Sequence, residues 1–230
     1  DSWTYLGYSM VTVRILNSSS REEQQMLPDF HLIKVCVGVQ ELIGHKADGT
    51  AVYSAIRKKP IKTASRMLTA TGLVGDEQIQ RDDIRDGKPV HGGTEKAVYA
   101  YPIEHFPYWE QTLGLHTTLT AGALGENLTI HGLLEADCYV GDVWSIGDVL
   151  LRVTKPRQPC YKFNIHMDSP QAGKLMWQSG HCGWYLEVLT SGRYLPRCGQ
   201  VDVVERIEGA PSIAEVFAQK RQKAGGRIAS

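Results

Sequence analysis

The sequence has no surplus of charge: Lys and Arg number 25 and Asp and Glu number 25 in a chain of 230 residues. Polyanion binders normally carry a basic excess, so no nucleic acid polymer is expected as a partner. No apolar run approaches the ~20 residues that cross a bilayer as a helix. Residues 1–10 show no basic segment leading into an apolar core, so neither a membrane span nor a retained signal peptide is expected, and the cytoplasm is the expected location. The five cysteines are too few and too scattered for a disulfide scaffold, and they include no CxxC. No GxxxxGK[ST] phosphate loop occurs, and no GxGxxG opens a helix. Internal repeats are absent too.

What is present reads mainly as strands. Apolar and β-branched runs lie at Leu32–Val39, Val52–Ile56, Leu128–Ile130, Asp142–Ile146, Val149–Val153, Gly183–Leu189 and Val201–Ile207. Gly147-Asp148 supplies a two-residue hairpin between two of them. Helical stretches are fewer. Tyr101–Leu113 is rich in aromatics, with Pro107 confined to a first turn or breaking it. Ser169-Pro170 opens a helix that Gly180 stops. Ser212 and Glu215 form a capping box for a last helix. Short strands, Gly-rich turns and few helices predict a mainly β, α+β fold of barrel or sandwich type.

Three glycine-bearing segments, Gly72–Asp76, His91–Thr94 and Gly125–Leu128, could each present backbone N–H groups to a ligand. Taken singly, each is equally a turn of a β protein. A fourth segment, Pro156-Arg157-Gln158-Pro159-Cys160-Tyr161-Lys162, is more pointed. Its prolines stiffen the loop, and Arg157 and Lys162 flank a thiol whose pKa nearby positive charge would lower. The residues alone leave Cys160 open between ligand or nucleophile and packed small hydrophobe. Cys36 and Cys138 sit in apolar surroundings and are expected in the core. A zinc site from Cys160, His166, His181, Cys182 and Cys198 matches no common structural spacing. A Cys160 nucleophile with His91 or His166 as base is the hydrolase alternative.

In order along the chain, HGG at 91–93, AVYAYPIEHFPYW at 97–109, GENLT at 125–129, PRQPCYK at 156–162 and GWY at 183–185 resemble the MOSC domain. That is the domain found at the C-terminus of molybdenum-cofactor sulfurases. The closest branch is the single-domain bacterial proteins that detoxify N-hydroxylated purine bases. The resemblance implies a closed β-barrel with a few peripheral helices over residues 32–207. Residues 1–31 would be an extension, in part a non-native leader, and 208–230 a C-terminal helix and tail. It further implies a molybdenum cofactor (molybdopterin), with Cys160 as thiolate ligand to the metal. His91, Gly92, Gly93, Glu126, Asn127, Arg157 and Lys162 would surround the cofactor. Arg57 and Lys58 are further candidate partners of its phosphate, with a solvated charge cluster the preferred reading of both. The activity implied is reduction of hydroxylaminopurines, amidoximes or hydroxylamines to amines. No C-x₄-C-x₂-C iron–sulfur spacing occurs, so electrons would come from a separate flavin or iron–sulfur donor protein. A homodimer is the assembly that relatives suggest. The alternative is a cofactor or sulfur carrier using Cys160 as a persulfide relay. Where relatives often place Gly-Arg before GWY, this chain reads Gly180-His181-Cys182, which removes the arginine and adds a second candidate thiol.

Overall fold

The computed structural model describes residues 13–15, 30–77, 84–85, 88–89 and 92–225. Its strands are β1 (Val13–Ile15), β2 (His31–Val37), β3 (Glu41–His45), β4 (Ala51–Ser54), β5 (Lys59–Pro60), β6 (Ser65–Thr69), β7 (Gly72–Leu73), β8 (Ile84–Arg85) and β9 (Lys88–Pro89). They continue as β10 (Val98–Pro102), β11 (Leu128–His131), β12 (Val143–Ile146), β13 (Val149–Pro156), β14 (Trp184–Val188), β15 (Tyr194–Pro196), β16 (Gly199–Gln200) and β17 (Asp202–Ile207). Four helices accompany them: α1 (Phe106–Leu113), α2 (Tyr161–His166), α3 (Ala172–Ser179) and α4 (Ile213–Gly225). The fold is therefore mainly β with few helices. No helix among the described residues is long and apolar enough to cross a membrane.

The principal sheet runs β1-β17-β12-β13-β14-β10-β11-β2-β16, with β5 added on β2. All these pairs are antiparallel except β10 with β11, which are parallel. Closure into a barrel, expected from the sequence, is not observed: none of the sheets returns on itself among the described residues. The reason lies in the last strands. β16 pairs with β2, β17 pairs with β12, and only Val201 separates the two in the chain. The circuit is joined by covalent continuity through Val201, and the far edge of β17 is taken by β1, Val13 opposite Ile207.

Inward residues follow from the period-2 alternation of strand side chains. In β13, Val149, Leu151 and Val153 are buried while Arg152 is exposed. Trp144 and Trp184 meet edge to face with ring centroids 5.9 Å apart, and Phe30 packs on Trp144 at 4.8 Å. The hairpin between β12 and β13 turns at Gly147 with φ 58°, as its Gly-Asp turn predicts.

Two helical expectations shift. Tyr101 belongs to β10, and α1 begins only at Phe106 with Pro107 in its first turn. Pairing with β11, Tyr101 opposite Thr129, supplies backbone partners there. The helix expected from Ser169 begins at Ala172 and stops at Gly180, whose φ is 79°. The capping box of α4 is formed as the sequence predicts: Ser212 N donates to Glu215 Oε2 at 2.7 Å and Glu215 N to Ser212 Oγ at 3.2 Å.

Candidate functional site

Arg157 follows directly on β13, and its burial sets the character of the site. The guanidinium carbon lies 4.9 Å from the Tyr99 ring centroid and 4.7 Å from that of Phe163. Nη1 donates to Tyr99 OH at 3.3 Å and to Leu124 O at 3.1 Å. A cation placed between two aromatic faces and given two acceptors holds one orientation. Tyr99 OH in turn donates to Cys182 O at 2.8 Å, tying the arginine to the turn that starts β14.

A cleft opens beside Arg157, lined also by Ser54, Ile56, Lys58, Tyr99, Asn127 and Tyr185, with Gly125 at its floor. A Cβ on Gly125 would come within 2.7 Å of the Ile56 side chain, so the glycine permits this approach of two loops. Lys58 Nζ stands 2.5 Å from Asp76 Oδ1, both side chains almost entirely buried. Burial pushes the Lys58 pKa down, and the ion pair with Asp76 opposes that shift. Burial also pushes the Tyr99 and Tyr185 phenols up, against the pull of Arg157. Both stay protonated at neutral pH and can act as donors.

Cys160 is not among the residues that line the cleft. It is extended, with φ −127° and ψ 168°, and immediately precedes α2. Its side chain is half-buried and in no disulfide. It lies within electrostatic reach of Arg157 and Tyr185, next to the cation that the sequence set beside it.

Asn127 and Arg157 both line the cleft. Glu126 does not. Its carboxylate is wholly buried and accepts from Gly122 N at 2.6 Å, Leu124 N at 2.9 Å and Thr129 Oγ1 at 2.7 Å, so it fixes the loop that carries Gly125. Lys162 is buried on the first turn of α2 and is not part of the cleft wall. Gly92 and Gly93, at φ 75° and 88°, lead into a short 3-10 turn at Thr94–Lys96 away from the cleft lining. His91 lies outside the described residues.

Other expectations separate in the same way. Arg57 is exposed and pairs with Glu41 at 3.4 Å, but its neighbour Lys58 points into protein, against the solvated reading given to both. Cys36 and Cys138 are core residues. Cys182 is fully buried as well, and burial raises its pKa far above the ordinary thiol range, so it is no second reactive thiol. His166 donates from Nε2 to Ala123 O at 2.7 Å. Among the described residues no three His, Cys, Asp or Glu side chains converge as a metal site, so the proposed zinc ligands are not brought together.

Sequence reading missed Ser54, Asp76, Tyr99 and Tyr185. Tyr99 and Tyr185 were visible only as members of AVYAYP and GWY. The register that sets them opposite each other, β10 against β14, belongs to the tertiary structure.

A family model described as "MOSC domain" matches residues 87–208. Protein YiiM of Escherichia coli is 41% identical over 128 residues, covering 55% of this chain and 54% of that protein. The chain thus matches about half the length of that relative. A protein of Gibberella moniliformis named "Reductase" is 34% identical over 145 residues, 62% of this chain and 24% of that protein. The crystal structure of YiiM from Geobacillus stearothermophilus is similar with a TM-score of 0.65 and 30% identity, covering 87% of this chain and 91% of that one.

Proposed function

The chain belongs to the MOSC-domain family, and from that premise we propose that it holds a molybdenum cofactor at the Lys58–Arg157 cleft and reduces N-hydroxylated compounds to amines. The observation that carries this reading is the donor set. Two buried cations share one cleft with two protonated phenols, and the loop leaving Arg157 keeps a half-buried thiol within electrostatic reach of Arg157 and Tyr185. An anionic pterin phosphate needs fixed cations, and a high-valent metal held by dithiolene sulfur suits a further soft thiolate. The residues present fit both needs.

Arg157 and Lys58 would hold the phosphate, Arg157 in a fixed orientation and Lys58 as a point charge anchored by Asp76. Tyr185 and Ser54 would donate to remaining oxygens, Tyr99, whose proton goes to Cys182 O, would hold Arg157 in place, and Cys160 would be the thiolate ligand. The chemistry that such a group supplies when bound is two-electron removal of oxygen from nitrogen. The reaction balances as R–NHOH plus two electrons and two protons giving R–NH₂ and water. The N–O bond breaks and the oxygen leaves as water. The electrons would come from a separate flavin or iron–sulfur protein.

Molybdenum content and hydroxylaminopurine reduction, measured on wild type and Cys160→Ala after cofactor loading, test this reading. Wild type should retain metal and reduce substrate with a small chemical reductant, while the variant should lose both and keep its fold by circular dichroism. A variant with full molybdenum and full turnover would sink the proposal.

A further inference from the structure

Glu135 is a buried carboxylate that the proposed reaction does not use. It stands in a turn beyond β11, and both of its oxygens are engaged. Oε2 meets His105 Nε2 at 2.8 Å. Oε1 accepts from Cys182 N at 3.0 Å and from Gly183 N at 2.8 Å. Burial alone would raise its pKa, but the His105 contact and the Gly183 bond outweigh burial and hold it below the ordinary carboxylate value. Glu135 is thus an anion at neutral pH. A carboxylate anion only accepts, so His105 is the donor at Nε2.

The two N–H groups that Glu135 holds belong to a segment whose carbonyls hold the cleft. Cys182 O accepts from Tyr99 OH at 2.8 Å, and Tyr99 OH accepts from Arg157 Nη1 at 3.3 Å. Gly183 O accepts from Arg157 N at 3.2 Å. The segment therefore takes its place from Glu135 and passes it to Arg157 twice, through backbone at Gly183 and through the Tyr99 side chain. His105 backs the same segment a second time, its ring stacked on His181 with centroids 3.9 Å apart. Both charged ends are out of water, Glu135 and Arg157 each 5% exposed. A guanidinium so buried is oriented by the protein groups that hold it. Removal of the Glu135 oxygens leaves two buried N–H groups without acceptors, and the segment must shift to satisfy them.

We propose that Glu135 is the positioning residue that aims Arg157 into the cleft, with His105 fixing Glu135 in turn. Neither side chain lines the cleft, so both act through other groups. By pinning Cys182 N and Gly183 N, the carboxylate presents Cys182 O to Tyr99 and Gly183 O to Arg157. The guanidinium is then aimed before an anion arrives, and binding needs no reorganisation of the cation. The ligand so gripped, a phosphate oxyanion, rests on the reading of the cleft given under Proposed function. The aiming of Arg157 rests on the bonds alone.

The test uses the full chain with two readouts. Exchange of the Arg157 guanidinium N–H signals with water, followed by nuclear magnetic resonance, reports how firmly that side chain is held. Calorimetric titration with inorganic phosphate reports the anion site. In Glu135→Leu, which keeps bulk and removes the acceptors, exchange should quicken and phosphate affinity should fall, each about tenfold or more. Glu135→Gln keeps an acceptor for the two N–H groups and should stay within about threefold of wild type. Asp142→Asn is the control for stability alone. Asp142 is another buried carboxylate, bonded to Arg206 and Tyr139 N, and its side chain makes no bond to residues 181–183. Both readouts should stay at wild-type values in that variant even where its urea midpoint falls. Should Glu135→Leu not fold, His105→Phe keeps a ring against His181 and frees Oε2, and both readouts should worsen about threefold. Wild-type readouts in folded Glu135→Leu, or in His105→Phe where the leucine variant does not fold, would overturn the proposal. So would an equal loss in Asp142→Asn, which marks general destabilisation, or in Glu135→Gln, which marks charge without a hydrogen-bonded relay. If wild type binds no phosphate, the reading of the cleft fails by itself. Arg157 exchange then decides the positioning role: quickening in Glu135→Leu supports it, and no change overturns it.

Discussion

Asn127 and Tyr99 bind each other twice across the parallel start of β10 and β11. Tyr99 N donates to Asn127 Oδ1 at 3.1 Å, and Asn127 N donates to Tyr99 O at 2.8 Å. The same side chain donates from Nδ2 to Cys36 O at 3.1 Å and to Asp76 Oδ2 at 2.9 Å. One amide therefore sets the position of Tyr99, which stacks with Arg157, and of Asp76, which holds Lys58. Replacing it with a shape-matched apolar group strands a buried N–H and a buried carboxylate oxygen. Asn127→Leu should lose about 2–4 kcal/mol of stability, read from the urea midpoint at constant slope. A midpoint unchanged from wild type would contradict this bridging role.

The Lys58–Asp76 pair is buried on both sides, so removing either partner leaves the other charge stranded. Lys58→Met and Asp76→Asn should each cost about 3–5 kcal/mol, and the double variant clearly less than their sum. A double-mutant cycle in denaturant measures the difference. Strict additivity would show that the two groups do not act as a pair.

His181 stacks on His105 with centroids 3.9 Å apart and planes 9° apart, and Tyr108 meets it edge-on. Burial, and then repulsion from His105, push the His181 pKa down to about 4. The ordinary value, near 6.5, applies in the unfolded chain. The unfolded state thus binds the extra proton first, so stability contributed by neutral His181 is present above about pH 6.5 and is lost as pH falls towards 4. Thermal midpoints taken between pH 7 and 4.5 should fall, and His181→Phe should flatten that slope. Some slope should remain, since burial lowers the His166 pKa as well.

Gly183 sits at φ 60°, and a Cβ there would lie 2.4 Å from Ala100 O and under 3 Å from the rings of Tyr99 and Tyr101. Gly183→Ala combines left-handed backbone strain with a collision against β10. It should cost about 3 kcal/mol or more and loosen the turn that anchors Tyr99 OH. Gly192→Ala makes the control, because its added Cβ meets nothing within 4 Å, although its φ of 84° still carries the backbone strain. Equal losses in the two variants would assign the effect to backbone conformation alone.

Much of the fold was written locally. The capping box at Ser212, the Gly147-Asp148 hairpin and the stop at Gly180 depend on residues within a turn of one another, and all three are observed. The MOSC resemblance was legible for a related reason, because it is carried by short ordered segments. Boundaries set by pairing were less legible. Tyr101 lies in a strand because it pairs with Thr129 of β11, and the sequence of Tyr101–Leu113 alone reads as one helix.

By itself the sequence determined a mainly β chain with no spanning helix among the described residues, and it singled out Arg157 and Asn127, both of which line the cleft. Only the tertiary structure decided which other groups join them. It brought Lys58, Tyr99 and Tyr185 to one cleft, turned Glu126 inward to brace a loop and buried Cys182 beyond reaction. The reason is physical. Turns and caps are fixed by neighbours in sequence, whereas burial and charge pairing depend on strand register between residues tens of positions apart. That register also left the sheet open, joined through Val201 in place of a closing ladder.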